Sequence, residues 1–219
     1  MADDPRELIR RIASVVGHEL RNPLAVINNS AYFVRAKIGK SLDAKVEKHL
    51  RIIESEIARA DGLIGKMLAF SRPYQPMVET AAFDALVEAV VKAYSTPLGG
   101  KVNVQLGAKD AKVKVEPPAF RDDLKRLLDN AFDAMEGKGS VKVITGEDKA
   151  GVFAAVSDSG PGVDAKIKKS LFEPFITNKP RGLGLSLALA RKRLGAVGGL
   201  LSCESGPKGA TFRLVLPKA

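Results

Sequence analysis

The sequence predicts an α+β protein in two parts: an N-terminal antiparallel helical hairpin, then a two-layer α/β sandwich. Three observations lead there. From Leu8 to Met67 apolar side chains recur at intervals of three, four and seven, the spacing of one helix face. Ser71-Arg72-Pro73-Tyr74-Gln75-Pro76 then breaks helicity twice and makes a short, stiff linker. Beyond it, grouped helical patterns stand beside short strand-like runs, most of them joined as hairpins.

In the first helix the stripe is Leu8, Ile12, Val15, Val16, Leu20, Leu24, Ile27, Ala31, Val34 and Ile38, and Gly39 ends it. Pro23 removes one helical hydrogen bond and bends the helix there. A second stripe, Val46, Leu50, Ile53, Ile57, Ala60, Ile64 and Met67, starts behind Ser41 or Asp43 as a cap. Two long helices joined by about four residues make an antiparallel hairpin. Each has more apolar surface than one partner covers, which predicts two hairpins closing into a four-helix bundle, a homodimer. The other solution is a single hairpin packed on the rest of the chain.

The boundaries that follow are a first domain over 1–72, a linker over 73–82 and a second domain over 83–219. In the second domain, helices are expected at Asp84–Tyr94, Pro118–Met135, a short stretch from Asp164, and Leu183–Val197. Strands are expected at Val102–Leu106, Ala111–Glu116, Val141–Gly146, Val152–Ser157, Leu200–Glu204 and Ala210–Leu216.

Composition narrows the function classes. No run approaches the roughly 20 apolar residues of a membrane span, and Met-Ala-Asp-Asp-Pro is unlike a signal peptide, so a cytoplasmic location is expected. Cys203 has neither a disulfide partner nor companions at metal-ligand spacing. The net charge of +10 suits nucleic acid, anionic lipid, nucleotide phosphates or an acidic protein. Its distribution argues against the first two: residues 1–72 hold 13 Lys plus Arg against 9 Asp plus Glu, the remainder 22 against 16, and no basic arm exists. With three Tyr and no Trp, there is little to stack on bases, and nucleic-acid binding is not expected.

His18 falls roughly 60 to 120° off the line through Ile12 and Val15, at the border of the buried seam. An imidazole is a neutral nucleophile near pH 7, and the adjacent Glu19 can fix its tautomer and accept its proton. In isolation such a pair reads as solvated helix surface. The run Val16-Gly17-His18-Glu19-Leu20-Arg21-Asn22-Pro23-Leu24, however, resembles the H-box of two-component sensor histidine kinases. His49 sits in no such motif and reads as a surface residue.

Three stretches of the second domain extend the resemblance to the ATP-binding domain that these kinases share with type II topoisomerases, ninety-kilodalton heat-shock chaperones and mismatch-repair proteins. Leu124-Lys125-Arg126-Leu127-Leu128-Asp129-Asn130-Ala131-Phe132-Asp133-Ala134-Met135 resembles the N-box, with Arg126 and Asn130 four apart on one helix face. Asp158-Ser159-Gly160-Pro161-Gly162-Val163, after a strand, resembles the G1 box. By itself it reads as a turn. The run from Leu171 to Ser186 resembles the F-box and G2 box that flank an ATP lid. In it Gly182 and Gly184 precede a helix N-terminus, and Lys179 and Arg181 can meet phosphate.

The resemblance implies a protein-histidine kinase using ATP and Mg²⁺. His18 would be the phosphoryl acceptor, with Glu19 as base and Asn22 positioning water for a phosphatase activity. Asn130 would ligate Mg²⁺ through its amide oxygen. Asp158 would read the adenine amino group and Gly160 and Gly162 would let backbone approach the base. Arg126, Thr177, Lys179, Arg181, Gly182 and Gly184 would surround the phosphates. The partner would be an aspartate of a response-regulator receiver domain. Two departures stand out: Arg126 replaces a usual Asn one turn before Asn130, and the glycine stretch is only Gly182-x-Gly184 in a short lid. A guanidinium there either contacts phosphate or disturbs the metal site by repulsion. The latter would suit a dimeric phosphotransfer adaptor with a degenerate nucleotide half.

Overall fold

Asp43 opens the second long helix: its Oδ1 accepts from the Lys45 backbone N–H at 2.6 Å, and its carbonyl accepts from Glu47 at 3.0 Å. Of the two caps expected from sequence, it is therefore Asp43 that serves; Ser41 lies outside the described residues. The computed structural model describes residues 5–38, 43–179 and 183–219, with side chains in the first helix described from Val16 onward except His18.

The chain divides into two compact units, Met1–Pro73 and Tyr74–Ala219. The first is a hairpin of α1 (Pro5–Ile38) and α2 (Ala44–Ser71). Ala31, Leu50, Ile64 and Leu68 are its buried apolar side chains among those described. Gly17 lets the helices approach, since a Cβ there would stand 3.0 Å from Leu68. Arg21–Asp61 at 2.6 Å and Arg35–Glu54 at 3.1 Å tie the helices together at the surface. Much of the apolar stripe stays uncovered: Leu20 is 46% exposed, Ile27 48% and Ile53 39%. α2 ends where Arg72 N–H donates to Leu68 O, just before Pro73.

The second unit has the elements β1 (Glu79–Ala82), α3 (Phe83–Ala93), β2 (Gly100–Gln105), β3 (Lys112–Val115), α4 (Pro117–Ala134), β4 (Gly139–Asp148), β5 (Gly151–Ser157), α5 (Ala165–Lys168), α6 (Ser186–Ala196), β6 (Leu200–Gly206) and β7 (Gly209–Leu216). Five strands form one sheet in the order β2-β4-β5-β7-β6, parallel only between β2 and β4. α3, α4 and α6 contribute Leu86, Val87, Leu124, Leu127, Leu128 and Leu194 to a core shared with Val141, Val143, Val156 and Leu214 of the sheet. Phe83 meets Phe120 edge-on at 5.7 Å.

Three sequence expectations change. Glu79–Ala82, assigned to the linker, is a strand paired antiparallel with β3 from Glu79↔Val115 to Ala82↔Lys112. Tyr74, also assigned to the linker, donates its hydroxyl to Glu116 Oε2 at 2.5 Å, beneath the Arg193 guanidinium. Burial and that carboxylate push the Tyr74 phenol well above its ordinary range. The last helix begins at Ser186 rather than Leu183. No helix among the described residues is long and apolar enough to cross a membrane.

Candidate functional site

In the first unit, α1 carries the H-box segment. Its backbone is helical through His18, whose side chain lies outside the description. Glu19 and Asn22, three residues apart and so on neighbouring helix positions, are both exposed. Pro23 sits inside the helix just after them.

In the second unit the C-terminal half of α4 presents Arg126 and Asn130, while Leu124, Leu127, Leu128 and Ala131 hold its other face in the core. The packing of that apolar face aims the polar one outward. Two positively charged side chains bear on this helix, Arg126 acting on Asp123 one turn earlier and Lys179 on Asn130 and Asp133. Arg126 has its Nε buried without a hydrogen-bond partner, an orphaned donor that a phosphate oxygen would satisfy. Lys179 Nζ donates to Asn130 Oδ1 at 2.8 Å and to Asp133 Oδ2 at 2.5 Å. Thr177 Oγ1 accepts from the Lys179 backbone N–H at 3.0 Å and so shapes the turn that delivers it.

Asp158 follows β5. Its Oδ1 accepts from the backbone N–H of Gly160 at 2.9 Å and of Ala210 at 3.2 Å, which locks the carboxylate against both its own turn and β7. Gly162 has φ +79, and a Cβ there would collide with Gly206 O. Beside this turn a shallow cleft of about 440 Å³ runs between Met135, Gly139, Ser159 and Gly160. Gly184, φ +65, brings its carbonyl to the Phe175 N–H at 3.2 Å; a Cβ on it would come within 2.5 Å of Ile176 O. Arg181 and Gly182 lie outside the described residues.

Sequence reasoning missed three neighbours of this site. Asp133 is the second acceptor of Lys179; its place three residues after Asn130 was the available signal. Asp123, 1% exposed, is held 3.1 Å from Arg193 Nη1 of α6. Tyr94 stacks on Phe132 at 5.9 Å and donates to Asp129 Oδ1 at 2.9 Å, bracing α4 from α3. The last two join residues far apart in the chain and leave no local signature.

Comparison with known proteins bears on both units. Residues 116–219 match the family of histidine kinase-, DNA gyrase B-, and HSP90-like ATPases, and residues 8–75 match the His Kinase A (phospho-acceptor) domain. The signal transduction histidine-protein kinase AtoS of Escherichia coli is 29% identical over 92% of this chain and 34% of its own length. The sensory histidine kinase/phosphatase NtrB of Rhizobium meliloti is 30% identical over 94% of this chain and 58% of its own. The chain thus spans about a third of the one relative and somewhat over half of the other. Full-length ShkA, solved in complex with AMPPNP, superposes with a TM-score of 0.78 at 21% identity, over 95% of this chain and 46% of that one. Histidine kinase ThkA, solved in complex with response regulator protein TrrA, gives 0.67 at 23% identity, over 95% and 61%.

The second unit therefore carries an ATPase domain of the histidine kinase, gyrase B and HSP90 type. With the phospho-acceptor domain ahead of it, the chain belongs to the two-component sensor histidine kinases and corresponds to their catalytic core.

Proposed function

We propose that this chain is an ATP-dependent protein-histidine kinase that phosphorylates itself on His18 and passes the phosphoryl group to an aspartate of a response-regulator receiver domain. The observation that carries this reading is the succession, in one chain, of a phospho-acceptor domain and an ATPase domain. The regulator as partner is supported by the ThkA–TrrA complex. Residues 1–72 form the dimerisation and phosphotransfer domain and the ATP-binding domain extends to 219, with the strand Glu79–Ala82 as part of it.

The adenine amino group donates to Asp158 Oδ2, because Oδ1 is committed to Gly160 and Ala210. Gly160 keeps the base within reach: a Cβ there would crowd Asp158 Oδ1 at 3.1 Å and Ala134 O at 3.2 Å. Arg126, Lys179 and Arg181 contact the triphosphate, with Thr177, Gly182 and Gly184 lining its path. Asn130 Oδ1, a hard oxygen already seated against the Lys179 cation, fits magnesium as a ligand. When bound there, magnesium supplies charge neutralisation on the phosphates.

In the transfer, an imidazole nitrogen of His18 forms a bond to the γ-phosphorus as the bond from that phosphorus to the ADP oxygen breaks, and the imidazole proton passes to Glu19. Positioning and charge neutralisation supply most of the rate. Asn22, three residues beyond Glu19, orients water for hydrolysis of the regulator's phosphoaspartate. The core works as a homodimer in the cytoplasm; the exposed stripe of Leu20, Ile27, Val34, Ile38, Val46 and Ile53 supports a second hairpin as its cover.

Incubation with γ-labelled ATP tests the reading. Label is expected on the protein, labile to acid and stable to base as a P–N bond is, and absent from His18→Ala. Released phosphate without labelled protein would mean a plain ATPase, and neither would mean an adaptor; both outcomes overturn the kinase.

A further inference from the structure

Asn130 and Asp133 stand three residues apart on α4, and both direct an oxygen at one ammonium, that of Lys179, at 2.8 and 2.5 Å. That ammonium is in effect a cation bound to α4 and supplied by the chain itself. Both sides of the pair are substantially exposed, 42% for Lys179 and 60% for Asp133, so as an ion pair it adds little to stability. Its significance lies in where it sits. The amide oxygen it occupies is the one proposed above to ligate magnesium. An ammonium 2.8 Å from the same atom would face the divalent ion at close range, and the two cations would repel strongly.

We propose that Asn130 and Asp133 form a two-oxygen cation position held by Lys179, and that loading with metal and nucleotide exchanges the cations. This rests on the reading of Asn130 as the metal ligand and adds Asp133 to that site as a positioning residue. On loading, Lys179 leaves Asn130 for the triphosphate, and Asp133 turns to the water shell of the metal. Free metal must compete with an ammonium that is tethered to the chain and already seated on the same oxygen. Metal arriving with ATP brings phosphate oxygens that take the ammonium over. Metal and nucleotide binding are thereby coupled. A donor set this small suits magnesium, which takes one or two protein oxygens and completes its shell from phosphates and water. Among the described residues no larger cluster of metal-ligating side chains exists to hold a metal without nucleotide.

The test is a titration of this 219-residue chain with Mn²⁺ in the absence of nucleotide, following the spectrum of the free ion by electron paramagnetic resonance. The Lys179→Met protein is expected to bind Mn²⁺ at least fivefold more tightly than the parent, because the competing ammonium is gone. Adding Asp133→Asn or Asn130→Ala to Lys179→Met should reverse that gain. Equal binding by parent and Lys179→Met, or a gain untouched by Asp133→Asn, overturns the exchange. A fluorescent ATP analogue with Mg²⁺, applied to the parent and to Asn130→Ala, separates the two readings. Metal-dependent binding lost in Asn130→Ala, with no Mn²⁺ gain in Lys179→Met, leaves the ATP site standing and removes only the exchange. If the parent fails to bind the analogue, the ATP reading falls.

Discussion

Arg193 of α6 places Nη1 3.1 Å from Asp123 Oδ1 of α4, joining two helices through a carboxylate that is 1% exposed. Burial pushes the Asp123 carboxyl up to about 6, against the pull of the Arg193 and Arg126 guanidiniums. The folded protein therefore holds this proton over a pH range in which the unfolded chain has lost it. The contribution to stability is full below about pH 4 and is lost as pH rises through about 6, by on the order of 3 kcal/mol at most. Asp123→Asn, which mimics the protonated acid, should flatten the dependence of the urea midpoint on pH between those values. An unchanged slope would show that Asp123 titrates normally.

Asp158→Ala removes the carboxylate proposed to read adenine and also frees the N–H groups of Gly160 and Ala210. Loss of a charge-assisted hydrogen bond costs about 1.5 to 3 kcal/mol, or roughly tenfold or more in affinity. Calorimetric titration with Mg·ATP should show at least that weakening. Parental affinity in the variant would mean that the base is read elsewhere.

Ile53, 39% exposed on α2, lies on the stripe that a second hairpin would cover. Ile53→Asp should convert a homodimer to monomer in sedimentation or light scattering, since a carboxylate at the centre of an apolar seam is desolvated without a partner. A parent protein that is already monomeric and folded at micromolar concentration would contradict the bundle.

Arg126 leaves its buried Nε without a partner. If the triphosphate supplies it, Arg126→Ala should weaken ATP more than adenosine and slow autophosphorylation, because the base pocket is untouched. An equal effect on both ligands would make Arg126 structural. Arg126→Asn raising activity would mark the guanidinium as a disturbance.

Whatever depends on short-range backbone geometry was legible in the residues alone. The 3.6-residue period places Arg126 and Asn130 on one face of α4, and alternation in Lys112–Val115 buries Val113 and Val115 while leaving the lysines out. The turn residues of Asp158–Val163 end a strand for the same local reason. Which distant groups meet followed only from the closing of the fold. Lys179 reaches Asn130 from 49 residues away, Asp158 is locked by Ala210 52 away, and Arg193 finds Asp123 70 away. β1 escaped notice because Glu-Thr-Ala-Ala, directly after a Pro-rich break, has no apolar alternation; it is a strand because β3 offers it a ladder. Periodicity is a property of neighbouring residues on one helix or strand. Contacts across tens of residues exist only once the core of α4, α6 and the sheet has closed, and no local pattern encodes them.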